Sequence, residues 1–226
     1  DGLIPEQGTL KIVYEDEYVL IIDKPPYMST IPSREHPKGS VANIVLHHLQ
    51  QQSVHSTVHV VTRLDRDTSG LMCIAKHRHI HHLMSEQQKS GLVSREYEAI
   101  VYGFVKSQSI IAPIGRKETS IIEREVRDDG QFAHTDVTLL KVLHNMEASL
   151  SHVRLKLYTG RTHQIRVHMS YIGHPLVGDE LYGGRRDKII RQALHCAYLQ
   201  FTHPITQQEM LFESTLPNDM KRLLDT

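Results

Sequence analysis

Strand-forming segments follow one another directly along most of this chain, and that order limits the folds open to it. K-I-V-Y-E from Lys11 and Y-V-L-I-I-D from Tyr18 read as two strands joined by a hairpin at Asp16-Glu17. Lys24-Pro25-Pro26 ends the second, because proline has no N–H for a ladder. Leu71–Ala75, Tyr97–Tyr102, Asp136–Leu143, His152–Tyr158, Ala193–Thr202 and Glu209–Thr215 continue the series. In one of them Val153, Leu155 and Leu157 alternate with Arg154, Lys156 and Tyr158, the period of a half-buried strand. Helices are fewer. Ser40 is placed to cap one through Val41, Ile44, Val45 and Leu49. His79–Lys89 is a second, stopped by Gly91. Thr162 is placed to cap a third in which Ile165, Met169 and Ile172 fall at helical spacing, and Asn218–Leu224 closes the chain. Strands that mostly adjoin one another predict an α+β fold with a mixed, largely antiparallel central sheet flanked by helices. Lys117–Phe132, charged and ending in Asp128-Asp129-Gly130, reads as a surface excursion.

Length and composition bound the rest. The 226 residues suit one large domain, expected over 9–226, behind a leader or remnant of a longer segment over 1–8. Hydrophobic content of 39% and charged content of 23% are those of a soluble globular protein. No run nears the roughly 18 apolar residues of a membrane span. Cys73 and Cys196 lie in apolar, strand-like stretches and read as buried reduced thiols of a cytoplasmic protein. Formal charge is zero with His neutral, so the chain as a whole is not a basic polyanion binder. Positive charge is local instead: from Arg161 to Arg191, Arg161, Arg166, Arg185, Arg186, Lys188 and Arg191 face only Asp179, Glu180 and Asp187. Seventeen histidines invite a metal hypothesis. Yet His77, His79, His81 and His82 would spread over more than one side of a helix, with no Cys or carboxylate at zinc-site spacing. The reading is a solvated histidine-rich surface and no metal.

Two stretches set charged and hydrogen-bonding side chains among glycines. Thr62–Gly70 reads T-R-L-D-R-D-T-S-G, and Gly160–Met169 reads G-R-T-H-Q-I-R-V-H-M. Asp67 to Gly70 is the chemistry of Asx turns and caps, which shapes loops. Asp65 is different, flanked by Arg63 and Arg66 with Leu64 turned inward. A carboxylate from the first stretch meeting guanidiniums from the second in one cleft would stay ionised and poised as a nucleophile.

R-L-D-x-x-T-S-G resembles the signature of the RluA-type pseudouridine synthases, which isomerise uridine in ribosomal or transfer RNA. Ile21-Ile22-Asp23-Lys24-Pro25 is similar to that family's early strand. Ser94-Arg95-Glu96-Tyr97 with Gly103 is similar to its central strand. Gly160 to His168, then Gly173-His174-Pro175-Leu176 and Gly178-Asp179, resemble its late motif, and the likeness runs in family order from about Leu10 to Leu216. Two features depart from it. Thr62 stands where the family usually has His, and the S4-like RNA-binding domain carried by many members has no counterpart in Asp1–Gly8.

The resemblance implies a catalytic cleft across the sheet, with Asp65 as the ionised nucleophile or base and Arg166 as its matching cation. It implies that Tyr97 packs on the target base and that Arg63 enters the gap left by an extruded uridine. Arg161, His163 and Gln164 would make backbone and base contacts at the cleft rim. RNA is the implied partner, ribosomal RNA before transfer RNA, with no cofactor, no membrane and a monomer as default. Two rivals stand beside this reading: a catalytically silent RNA-binding or ribosome assembly factor on the same fold, and a metal-dependent hydrolase.

Overall fold

Turn chemistry and apolar runs lay down the first strands. The computed structural model describes residues 2–144 and 149–225; positions 1 and 226, the outer ends of the expected leader and domain, and 145–148 lie outside the described residues. Two compact units form, one up to Val93 together with Tyr198–Ser214, the other Ser94–Ala197 together with the segment from Thr215.

In the first unit β1 (Lys11–Glu15) and β2 (Val19–Lys24) pair antiparallel. Asp16 makes the turn, its Oδ1 accepting the amides of Tyr18 and Val19 at 2.7 and 2.9 Å. The helix expected behind Ser40 is α1 (Val41–Gln51), closed by a reciprocal cap in which Asn43 bonds the Ser40 backbone and Ser40 bonds the Asn43 amide. Val41, Ile44, Val45 and Leu49 are all buried on it. β3 (His59–Val60) and β2 flank β4 (Ser69–Ala75), both antiparallel. Every residue of β4 is buried, as its unbroken apolar run requires. α2 (Arg78–Lys89) follows and ends before Gly91, whose φ is +74°. The last part of β11 (Leu194–Thr202) pairs with β12 (Glu209–Glu213).

In the second unit β5 (Ser94–Tyr102), β10 (Ser149–Leu157), β9 (His134–His144) and β6 (Gln108–Ile111) pair in that order, again antiparallel. Val153 and Leu155 point into the core as their alternation predicts. The expected surface excursion over Lys117–Phe132 holds order too: β8 (Arg124–Val126) within it pairs with β7 (Ile114–Arg116) just before it, and Ile121 at the tip of this hairpin is 85% exposed. α3 (Gln164–Tyr171), a 3-10 turn at Glu180–Tyr182 and α4 (Asn218–Leu224) complete the unit. Ile100, Leu150, Val177, Ala193, Met220 and Leu223 are among the residues of one core cluster there, and Ile114, Ala133, Val167 and Tyr182 form another.

The fold is thus α+β with antiparallel pairing in both units. Among the described residues no helix is long and apolar enough to cross a membrane. Cys73 and Cys196 are buried outside any disulfide, and burial pushes the Cys73 thiol up to about 12, where it is inert. Arg191 is fully buried and paired with Asp219 at 2.7 Å, and Arg166 is buried too, so the basic excess of 161–191 does not all reach the surface.

Candidate active site

Asp65 sits in the loop that precedes β4, and side chains and amides around it hold the loop by its main chain. Thr30 Oγ1 donates to the Leu64 carbonyl at 2.8 Å, the Thr68 amide to that of Asp65 at 3.1 Å, and Lys24 Nζ to that of Arg66 at 2.8 Å. Three successive carbonyls are therefore fixed. Lys24 and Thr30 are themselves buried, Lys24 also donating to the Pro25 carbonyl at 2.9 Å, and Leu64 is buried between the two ends of the clamp. A buried ammonium bonded to two backbone oxygens holds the loop by its main chain. Of the loop's charged residues, Arg63 and Arg66 are exposed and Asp65 is partly exposed. Asp67 accepts from Arg66 Nη1 at 2.6 Å. Thr62, at the family's His position, is buried and accepts the Cys73 amide at 3.0 Å, so it secures the loop to the body of β4.

The residues expected to act with Asp65 belong to the second unit. Tyr97 lies on β5 opposite Leu155 of β10, 4% exposed, with Arg95 Nη1 3.5 Å from its hydroxyl. Gly160 gives room to that arginine: a Cβ there would stand 2.8 Å from Arg95 Nη2. Arg166 on α3 is 8% exposed and grips Asp179 through two parallel bonds of 2.9 Å, from Nε and Nη2. Its guanidinium lies 5.0 Å from the Tyr182 ring centroid. A planar fork held on two atoms and one ring face has a single orientation.

α3 begins one residue later than the sequence suggested. Thr162 is exposed and does not cap it; His163 is the cap residue, with φ of +56°, and no side-chain cap bond forms there. Gln164 reaches back instead, its Oε1 accepting the Arg161 amide at 3.0 Å and the Thr159 hydroxyl at 2.7 Å. Its Nε2 donates to the His134 carbonyl at 3.0 Å and to Thr135 Oγ1 at 2.9 Å. Gln164 was expected at a rim, and the structure corrects this: it is 3% exposed, its amide committed to the loop it starts.

The network continues to His168, fully buried, whose Nε2 lies 2.9 Å from the Ala112 carbonyl and Nδ1 2.8 Å from Thr135 Oγ1. A carbonyl only accepts, so Nε2 carries the proton. Burial holds the His168 pKa below the ordinary imidazole range, and in the neutral ring Nδ1 accepts from Thr135. The proton order is then settled from Gln164 through Thr135 and His168 to Ala112.

Arg161 is half-buried and donates from Nε to the Phe132 carbonyl at 2.7 Å; His163 Nδ1 lies 2.7 Å from the Tyr182 hydroxyl. Tyr182 and Asp179 are the residues that sequence reasoning missed in these roles. Tyr182 also accepts the Arg124 amide at 2.9 Å, and burial raises its pKa, keeping it a neutral donor. Asp179 was legible only as part of a Gly-Asp pair, while Tyr182 carried no signal. As for metal, no group of three or more His, Cys, Asp or Glu among the described residues is placed to hold one; His81 stacks on His59 at 5.2 Å.

Known proteins resemble this chain in sequence and fold. The pattern of the RNA pseudouridylate synthase family matches residues 18–171. An uncharacterized RNA pseudouridine synthase of Bacillus subtilis, YjbO, is 54% identical over 99% of this chain and 78% of its own length. Ribosomal large subunit pseudouridine synthase D of Pseudomonas aeruginosa is 43% identical over 95% of this chain and 71% of that protein. Human RNA pseudouridylate synthase domain containing 1 superposes with a TM-score of 0.73 at 27% identity, covering 93% of this chain and 86% of that one. With the family pattern spanning most of the chain, and relatives similar over nearly all of it, this protein belongs to the RNA pseudouridylate synthase family.

Proposed function

We propose that this RNA pseudouridine synthase isomerises specific uridines of structured ribosomal RNA, and that residues 9–226 act as one catalytic domain. The reaction breaks the bond from C1′ to N1, joins C1′ to C5, releases the C5 proton and returns a proton to N1. No electrons are gained or lost, so no redox cofactor is called for. Asp65 is the group that attacks or abstracts. The carrying observation is the clamp on the Leu64, Asp65 and Arg66 carbonyls, which gives a partly exposed carboxylate a fixed position.

Arg166, oriented by Asp179, is the cation of the reaction. Tyr97 packs on the uracil once it is out of the stack, which costs a few kcal/mol, and Arg63 takes the vacated place. Arg161 and His163 contact the flanking RNA, while Gln164 holds the loop that carries them. The enzyme works as a cytoplasmic monomer.

The test uses large-subunit ribosomal RNA transcribed in vitro with tritium at uridine C5, in buffer containing EDTA. Wild type is expected to release tritium and Asp65→Ala to release none while still binding the RNA. Release by Asp65→Ala at the wild-type rate would overturn the assignment. Wild-type release that stops with EDTA and returns with zinc would overturn the reaction class.

A further inference from the structure

Tyr27 occupies a backbone conformation that a tyrosine adopts only under constraint. Its φ is +69°, in the left-handed region where a Cβ crowds the following carbonyl and where glycine or asparagine is the usual occupant. The constraint is visible on both sides. Lys24 Nζ holds the Pro25 and Arg66 carbonyls, Thr30 Oγ1 holds the Leu64 carbonyl, and the Val41 and Ala42 amides donate to the Ser29 and Thr30 carbonyls at 2.9 and 3.0 Å. The segment carrying Tyr27 is therefore tied to the Asp65 loop at one edge and to the start of α1 at the other. Strain over-determined in this way persists where a side chain is kept for what it does.

Core packing does not account for it. Tyr27 is 42% exposed. The Arg66 guanidinium carbon lies 5.9 Å from its ring centroid, and the Arg66 side chain is itself 59% exposed while bonded to Asp67. Arg63, two residues before Asp65, is exposed as well. An aromatic ring with an exposed guanidinium beside it, on a segment tied to the loop of Asp65, matches single-stranded nucleic acid better than an apolar partner. Bases stack on the ring face and the cations meet phosphate.

We infer that Tyr27, backed by Arg66, is a stacking platform for a nucleotide adjacent to the target uridine. This rests on the isomerase reading and adds to it a contact outside the reacting pair. The ring grips the strand that must open for the uridine to leave, so it acts on RNA affinity and not on the bond-breaking step. Tyrosine at this position then trades backbone ease for a base contact.

The sign of two measurements separates this from a structural prop. Tyr27→Asn keeps a side chain suited to the left-handed backbone and removes the ring; Tyr27→Phe keeps the ring. Tritium release from in vitro transcribed large-subunit ribosomal RNA gives KM and kcat, and thermal unfolding gives the melting temperature. Tyr27→Asn is expected to raise KM by about tenfold with kcat near wild type, the size of one lost stacking contact, and to melt no lower than wild type. Tyr27→Phe is expected to stay within about twofold of wild type in KM. Unchanged KM in Tyr27→Asn would overturn the inference, as would a lowered melting temperature with KM unmoved. If wild type releases no tritium, the isomerase reading fails and the platform with it.

Discussion

The Asp65 loop and the start of α3 are both short, polar and rich in charge, yet the protein holds them in opposite ways. Around Asp65 the side-chain anchors come from elsewhere: Thr30 and Lys24 take the loop by its carbonyls, and its own Thr68 amide adds a local turn. Its own Arg63, Asp65 and Arg66 are left partly or wholly exposed. At α3 the motif anchors itself. Gln164 and His168 bond inward with both ends of their polar groups, and Arg166 closes on Asp179. A backbone-anchored loop presents chemistry to a ligand. A side-chain-anchored one makes a platform, and only the parts left over can meet a substrate. Equal polarity in sequence therefore carries unequal functional weight.

Three substitutions press on that contrast. The largest stability loss is expected from Asp179→Ala, because a buried guanidinium loses its bidentate partner; urea unfolding should show a cost of about 3–5 kcal/mol. A change under about 1 kcal/mol would mean that the α3 platform does not depend on this pair. His168 gives a smaller, pH-dependent effect. Its folded pKa lies below the ordinary imidazole value, so the unfolded chain binds the proton more readily. Stability from His168 is whole above the ordinary value of 6.5 and is lost as pH falls through it toward the folded pKa. Unfolding measured between about pH 7.5 and 5.5 should slope less in His168→Gln than in wild type; equal slopes would show that His168 accepts a proton in place. The smallest effect belongs to the presenting loop. Arg66→Ala removes an ion pair whose arginine is 59% exposed, and unfolding free energy is expected to change by less than about 0.5 kcal/mol. A larger loss would make Arg66 part of the clamp and weaken the contrast.

Much of this was legible where a local rule and the tertiary environment agree. β1, β2 and α1 follow from strand-forming runs stopped at Pro25 and from the Ser40 cap, and β4 from an apolar run buried on both faces. β7 and β8 escaped notice because each is three residues long and pairs across a polar turn, so no period develops. The start of α3 was misplaced by one residue, since Thr162 has the chemistry of a cap but His163 takes the left-handed turn and Gln164 does the bonding. Asp65 stood out because flanking arginines and a buried leucine single out one carboxylate. Asp179 and Tyr182 did not, because their roles arise from contacts with residues 13 to 58 positions away. Gln164 looked like a contact residue for the same reason: nothing local distinguishes an amide facing a ligand from one facing Thr135.

The contrast is tested most directly by measuring tritium release and urea unfolding on Asp65→Asn and Gln164→Ala side by side. Asp65→Asn should lose release while unfolding at the wild-type midpoint. Gln164→Ala should unfold at lower urea, by about 1–3 kcal/mol for buried partners left unmet, while its folded fraction still turns RNA over. Near-normal release from Asp65→Asn, or a fully stable Gln164→Ala that no longer binds RNA, would contradict it.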